Sequence, residues 1–148
     1  MQKYEPLNPN YQADVERGFA SQRVMETIGA SLLSVAPGQV EIGLAFSADL
    51  TQQHGYLHAG IITTIVDSAC GFAAFSLMPS GAQVLTVEYK LNLLASARGE
   101  KFIATGRVIK PGRTLTVCAG EVWAMAGEAR RQIAMMQATM IRLTEKEV

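Results

Sequence analysis

Between Gly55 and Ala74 the chain reads GYLHAGIITTIVDSACGFAA. From Ile61 to Phe75 the stretch is apolar on nearly every side, with Ile61, Ile62, Ile65, Val66, Ala69, Cys70, Phe72 and Phe75, and it carries a single carboxylate, Asp67. A helix with that pattern is a buried one, and the rest of the chain has to be organised around it. An unpaired buried carboxylate is costly even after relaxation. Asp67 is therefore partnered, protonated or aimed into a polar cleft, and the last option makes it a candidate for chemistry. The plainer alternative is a structural contact with the backbone or a lysine of a neighbouring chain.

Ahead of the helix, Gln52, Gln53, His54, Gly55 and His58 form a polar, glycine-bearing loop. A helix start leaves backbone N–H groups unpaired. Around Ala59 and Gly60 those donors, with the positive end of the helix dipole, suit an anion or a developing oxyanion. His58 either joins the chemistry or only braces the turn into the helix through its ring nitrogens. His54 and His58 stand four apart, but no cluster of His, Cys or Asp supplies further ligands, so no metal is expected.

Nine residues separate His58 from Asp67. That is roughly 13 Å of helix, too far for Asp67 and the donors near Ala59 to act on one carbonyl within one chain. If both serve one reaction, they come from different chains. The expected assembly is a dimer with its long helices side by side and antiparallel, and two equivalent sites related by a twofold axis.

With Gln52, Gly55, His58, Ala59, Gly60 and Asp67, the stretch resembles the signature of the hotdog-fold acyl-CoA thioesterases, specifically the PaaI-like, phenylacetate-pathway group. That group shows Asn-x-x-Gly-x-x-His-Gly-Gly and then Asp nine residues after the His. Gln52 stands for the usual Asn and Ala59 for the first Gly of the pair, which keeps a side-chain amide and a backbone N–H. The resemblance covers roughly residues 20 to 143. It implies an α+β hotdog fold, an antiparallel sheet wrapped around one long central helix, here with an additional N-terminal helix.

The resemblance also implies hydrolysis of an acyl-CoA, with an aromatic or medium-chain acyl group, to a free acid and CoA. The thioester oxygen would accept from the Ala59 N–H and the Gln52 amide, and Asp67 would act as general base or nucleophile. Thr86 matches the family's Ser/Thr that helps to hold the catalytic water. A homodimer, paired again into a dimer of dimers, is the expected assembly, and coenzyme A enters only as part of the substrate, with no separate cofactor. Two other functions are compatible with the pattern: a hydratase or dehydratase acting on acyl thioesters, and a noncatalytic acyl-CoA-binding protein.

Lys110-Pro111-Gly112-Arg113, with Arg107 just before it, would ordinarily be a solvated turn. In the resembled thioesterases this basic segment lies where the nucleotide and phosphates of coenzyme A bind. Thirteen basic and thirteen acidic side chains cancel, so cations for phosphates have to be concentrated locally. Gly60, Arg107, Lys110, Gly112 and Arg113 are accordingly the expected substrate-binding residues. The same balance leaves no electrostatic footprint for nucleic acid or an anionic membrane.

Length and a 49% hydrophobic composition suit one domain over residues 1–148. MQKYEPLNPN lacks the apolar core of a signal peptide and no apolar run approaches a membrane span, so a cytoplasmic protein is expected. Cys70 and Cys118 form no CxxC pair and should pack as small apolar residues. The absence of GxxxxGK[ST], of GxGxxG after a strand and of GxSxG argues against P-loop, dinucleotide and serine-hydrolase sites.

Pro6 and Pro9 suggest an irregular arm before a helix start near Asn8 to Asn10. Val15, Phe19, Val24, Met25 and Ile28 then fall at helical spacing, and the spacing predicts a helix over Tyr11 to Ile28, broken or loose near Gly18 and ended by Gly29. It covers an edge of the domain or closes over the acyl pocket. Pro37-Gly38 marks a hairpin within Ala30 to Ala45, Pro111-Gly112 a second, and Gly127-Glu128 a third turn. From Val84 to Leu94, the residues Leu85, Val87, Tyr89, Leu91 and Leu93 are expected on one face, against the helix, with Thr86, Glu88, Lys90 and Asn92 on the other. The last segment, EARRQIAMMQATMIRL, has a helix former's composition, but the resembled family places its final strand here, and a strand is expected.

Overall fold

The apolar stretch forms α3 (Ala59–Phe75), with Ile62, Ile65, Val66, Ala69, Cys70 and Ala73 removed from solvent. The computed structural model describes residues 4–148, so the first three residues of the N-terminal arm lie outside the description. Before α3 come α1 (Tyr11–Ser21), α2 (Arg23–Ile28), β1 (Ala30–Ala36), β2 (Gln39–Ala45) and a single 3-10 turn, Ala48–Leu50. After it come β3 (Ala82–Leu93), β4 (Lys101–Lys110), β5 (Leu115–Ala126) and β6 (Ala129–Thr144). The strands pair antiparallel in the order β1-β2-β4-β5-β6-β3 and the sheet packs around α3.

Two glycines let the sheet come this close. A Cβ at Gly106 would lie 2.2 Å from the Ala69 carbonyl carbon, and one at Gly120 would lie 2.5 Å from a Val66 methyl. Backbone therefore meets helix where any other residue would hold them apart. The alternation in β2 is as the sequence predicts, with Val40, Ile42 and Leu44 buried against the helix.

β6 is a strand in spite of its composition. Ala134, Met136, Ala138 and Met140 are buried at every second position, while Met135 is half exposed. The strand pairs on both sides, with β5 and with β3. Two ladders outweigh a helix propensity that amounts to tenths of a kcal/mol per residue.

β3 departs from the expected alternation. It is an edge strand with a bulge between Thr86 and Glu88. Thr86 lies across from Met140, which is buried; beyond the bulge Tyr89 lies across from Ala138 and Leu91 from Met136. One extra residue reverses the parity. Thr86 thus shares the helix-facing side with Tyr89, Leu91 and Leu93, and Leu85 falls on the outer side. The uniform apolar face from Leu85 to Leu93 does not exist.

The N-terminal helix also breaks later than predicted, at Gln22 (φ −80°, ψ 89°) rather than near Gly18. Gly18 is inside α1, where it allows close packing: a Cβ there would sit 3.1 Å from the Phe72 ring. One residue on, Phe19 meets Phe72 with ring centroids 6.2 Å apart. α2 ends at Gly29, whose φ of 75° makes it a left-handed cap. Val15, Met25 and Ile28 are buried, so the helical segment covers α3 and the neighbouring sheet edge.

Cys70 and Cys118 are free and buried, and the Cys118 thiol donates to the Cys70 carbonyl at 3.5 Å. Burial raises both thiols, Cys118 to about 12. Neither has the low pKa of a reactive thiol. Among the described residues no helix is long and apolar enough to cross a membrane.

Candidate active site

The loop before α3 is held by its own backbone. Gln52 N–H donates to the Tyr56 carbonyl and Gly55 N–H to the Gln52 carbonyl, each at 2.9 Å. Gly55 has a φ of 80°, open to glycine at little cost. The Gln52 side-chain oxygen accepts from the His54 N–H in a short contact, which commits that oxygen and leaves the amide NH2 as the available donor. His58 caps the helix: its Nδ1 accepts from the Gly60 N–H at 2.9 Å, and its carbonyl accepts from Ile61 and Ile62. With Nδ1 an acceptor, a neutral His58 carries its proton on Nε2. Of the two donors expected at this helix start, the Gly60 N–H is thereby used, and the Ala59 N–H has no acceptor among the described residues. Gln52, Ala59, Ile62 and Leu93 help to line a cavity of about 170 Å³.

Asp67 lies midway along α3 in a larger cavity, about 350 Å³, whose walls include Gln22, Ser68, Phe72, Phe75 and Thr86. The Thr86 hydroxyl donates to Asp67 Oδ1 at 2.9 Å. Burial raises the Asp67 carboxyl above its ordinary value, and the Thr86 hydrogen bond offsets part of that rise. A half-buried carboxylate with one oxygen held by a hydroxyl and a raised pKa can serve as a general base or as a nucleophile. The bulge in β3 is what turns Thr86 toward it.

These two halves do not meet within the chain. Ala59 and Asp67 are eight residues apart on an uninterrupted helix, about 12 Å along its axis, and they line different cavities. Among the described residues no three His, Cys, Asp or Glu side chains come together as metal ligands.

A model of the thioesterase superfamily matches residues 54–129, from the loop through α3 to the start of β6. The chain belongs to the thioesterase superfamily. Its sheet wrapped around a long helix is the hotdog fold. A thioesterase family protein from Silicibacter pomeroyi is 50% identical, with a TM-score of 0.89 over 90% of this chain and 98% of its own. The PaaI protein of the E. coli phenylacetic acid degradation operon shares 16% identity and a TM-score of 0.82 over 93% of this chain and 96% of its own, a likeness of fold. Human acyl-coenzyme A thioesterase 13 is 32% identical over 95 residues, which span 64% of this chain and 66% of that protein's length.

In this member of the superfamily the basic residues do not form the single group that the sequence suggests. Lys110, Gly112 and Arg113 are exposed at the β4–β5 tip, and Gly112 and Arg113 help to line a cavity of about 370 Å³ with Leu77, Met78 and Pro111 near the C-terminal end of α3. Arg107 is apart from them. Its neighbour Gly106 packs on α3, so strand parity turns Arg107 to the outer side, where it pairs with Glu121 at 2.7 Å. Arg142 takes its place, lining the tip cavity from β6, where its N–H donates to the Thr114 carbonyl at 2.8 Å. Sequence reasoning misses Arg142, Gln22 and Ser68. Arg142 is brought to the tip by strand pairing, and the other two are isolated polar residues whose signal emerges only when a shared cavity joins them.

Proposed function

We propose that the protein is an acyl-CoA thioesterase with two equivalent sites, each built from two copies of the chain. The observation that carries this is the pairing of a Thr86-bound Asp67 in one cavity with a free Ala59 N–H in another, on the same helix and too far apart to cooperate. In a twofold dimer with antiparallel α3 helices, the Ala59 end of one copy comes opposite Asp67 of the other. The uncovered side of α3, which carries Gly60, Thr64, Asp67 and Gly71, has room for such a neighbour: a Cβ at Gly71 would meet nothing within 4 Å.

The edge strand agrees with this arrangement. Tyr89 and Leu93, on the helix-facing side of β3, are 46% and 54% exposed, and a second copy can cover them while it pairs the free edge. If two β3 strands pair antiparallel about an axis at Lys90, with Val87 skipped as it is in the bulge against β6, Thr86 of one falls across from Leu93 of the other. Thr86 belongs to the Asp67 cavity and Leu93 to the Ala59 cavity, so that register joins the two.

At the joined site the thioester oxygen accepts from the Ala59 N–H and the Gln52 amide, donors that strengthen as negative charge develops on it. Gly60, whose N–H is committed to His58, contributes by having no side chain in the way. Asp67 takes a proton from a water that Thr86 helps to place, and that water attacks the carbonyl carbon. Collapse of the tetrahedral intermediate breaks the C–S bond and releases CoA thiolate and the acid. Lys110 and Arg113 at the hairpin tip, with Arg142, hold phosphates of coenzyme A, and α1 closes the acyl side. A dimer of dimers in the cytoplasm completes the reading.

Free-thiol release from a panel of acyl-CoAs tests the activity, and conversion of an enoyl or hydroxyacyl thioester without thiol release would replace it with hydration chemistry. Single turnovers in isotopic water test the roles open to Asp67: label appearing in its carboxylate requires covalent attack, since a general base leaves it unlabelled. Arg113→Ala is expected to raise KM for CoA thioesters severalfold and to leave short thioesters without the nucleotide nearly unaffected, because the side chain touches phosphate alone. Equal losses on both substrates would assign Arg113 to the fold.

A further inference from the structure

Ahead of α1 the chain forms a short strap that is fixed at both ends. At one end the Tyr4 hydroxyl donates to the Val108 and Ile109 carbonyls at 3.2 and 3.1 Å, and the ring packs on Gly38, where a Cβ would lie 2.7 Å away. At the other end Asn8 is buried; its amide donates to Asp14 Oδ2 at 2.7 Å and its oxygen accepts from the Asn10 N–H at 2.9 Å. Between the anchors Pro6 restricts the backbone, while Glu5 and Leu7 stay exposed. So much fixing for a segment that buries little of its middle points to what that middle borders. Tyr4, Glu5 and Leu7 wall the cavity of about 370 Å³ at the β4–β5 tip, together with Met78, Arg113 and Arg142. Glu5, Arg113 and Arg142 enter no ion pair among the described residues, although all three border that one cavity. Two cations, a carboxylate and the apolar surfaces of Leu7 and Met78 are therefore available to a single ligand.

We propose that the strap completes a pocket for the adenine base of coenzyme A, with Glu5 accepting a hydrogen bond from the base's exocyclic amine. The inference rests on the thioesterase reading, in which Arg113 and Arg142 hold the phosphates. The ligand that suits this cavity is anionic where the arginines are, flat and apolar in its middle, and a hydrogen-bond donor where Glu5 is. An adenine nucleotide has that make-up, since its base offers apolar faces and an amine at one edge. An ionised carboxylate only accepts, so it favours adenine and opposes hypoxanthine, which carries a carbonyl oxygen in place of the amine. Two acceptors facing each other have no proton to share. Glu5 is thus a specificity residue, apart from the reacting carbonyl and distinct in role from Arg113.

The test compares dissociation constants of adenosine 3′,5′-bisphosphate and inosine 3′,5′-bisphosphate, measured by calorimetry on the wild type and on Glu5→Gln. The wild type is expected to bind the adenine nucleotide about fivefold or more tightly, the scale of one hydrogen bond to an exposed acceptor. Glu5→Gln is expected to bring the ratio close to one, because an amide either accepts from the amine or donates to the carbonyl oxygen. Removing the carboxylate also eases phosphate binding, but equally for both nucleotides, so the ratio reports the base. A structural role for Glu5 would change both constants and leave their ratio where it was. Equal binding of the two by the wild type, a ratio that Glu5→Gln leaves unchanged, or binding of neither overturns the proposal. Free-thiol release from acyl-CoAs keeps the outcome separate from the thioesterase reading. Thiol release without base selectivity overturns the pocket alone, and base selectivity that Glu5→Gln removes, without thiol release, supports the pocket and overturns the hydrolysis.

Discussion

Replacing Asp67 by Asn lowers acyl-CoA turnover at saturating substrate by at least about a hundredfold, the scale of losing a positioned general base. Size and shape are kept, and the Asn carbonyl still accepts the Thr86 hydrogen bond, so fold and acyl-CoA affinity persist. The pH dependence has a definite sign. Burial raises the Asp67 carboxyl in the folded protein, so between its unfolded and folded pKa values the folded state binds more proton than the unfolded one. Stability from this group is therefore present at low pH and is lost as pH rises through the folded pKa. Wild-type activity runs the other way and rises over the same window, because the base must be ionised. Asn is neutral throughout, so Tm of the variant relative to wild type should climb across that window and level off above it. Turnover unchanged at saturating substrate would remove Asp67 from the mechanism, and a flat difference in Tm would mean that its ionisation is not linked to folding.

Mixing two inactive variants restores about a quarter of wild-type activity if the site is shared between copies. One variant is Asp67→Asn. The other is Ala59→Pro, which deletes one backbone N–H and little else. Position 59 is the first of the helix, where proline is well tolerated, and His58 before it has the extended φ of −63° and ψ of 139° that a following proline requires. The His58 cap on Gly60 is left in place. In a mixed dimer both lesions fall in one site and the other is intact. Co-refolding equal amounts makes about half the dimers mixed, each with one good site of two. A site within one chain would keep a lesion everywhere. Mixed dimers verified by differential tags and still inactive would sink the shared site.

Much of this was legible in the residues themselves, for reasons that are local. An apolar run with one carboxylate marks a buried helix with a polar purpose, and the count from His58 to Asp67 translates into a distance through the helical rise. Pro37-Gly38, Pro111-Gly112 and Gly127-Glu128 turn the chain where the sequence says, since the conformations open to proline and glycine are properties of single residues. The polar loop with Gly55 and the helix cap at His58 follow from the same short-range chemistry.

What only the tertiary structure decided is non-local. An alternation in sequence does not reveal which side of the sheet a residue occupies once a bulge intervenes, and the bulge in β3 shows only in its pairing with β6. That one register shift sends Leu85 outward and brings Thr86 to Asp67. Parity likewise removes Arg107 from the basic tip and gives it to Glu121, while pairing carries Arg142, far along the chain, into its place. β6 itself is a strand because β3 and β5 flank it, against the preference of its own residues. Gln22 and Ser68 are unremarkable as letters, and the cavity that joins them comes from α1 folding over α3. Side-chain chemistry is written residue by residue, but the face on which it appears is set by the partner strand or helix, and that partner is chosen only when the whole chain packs.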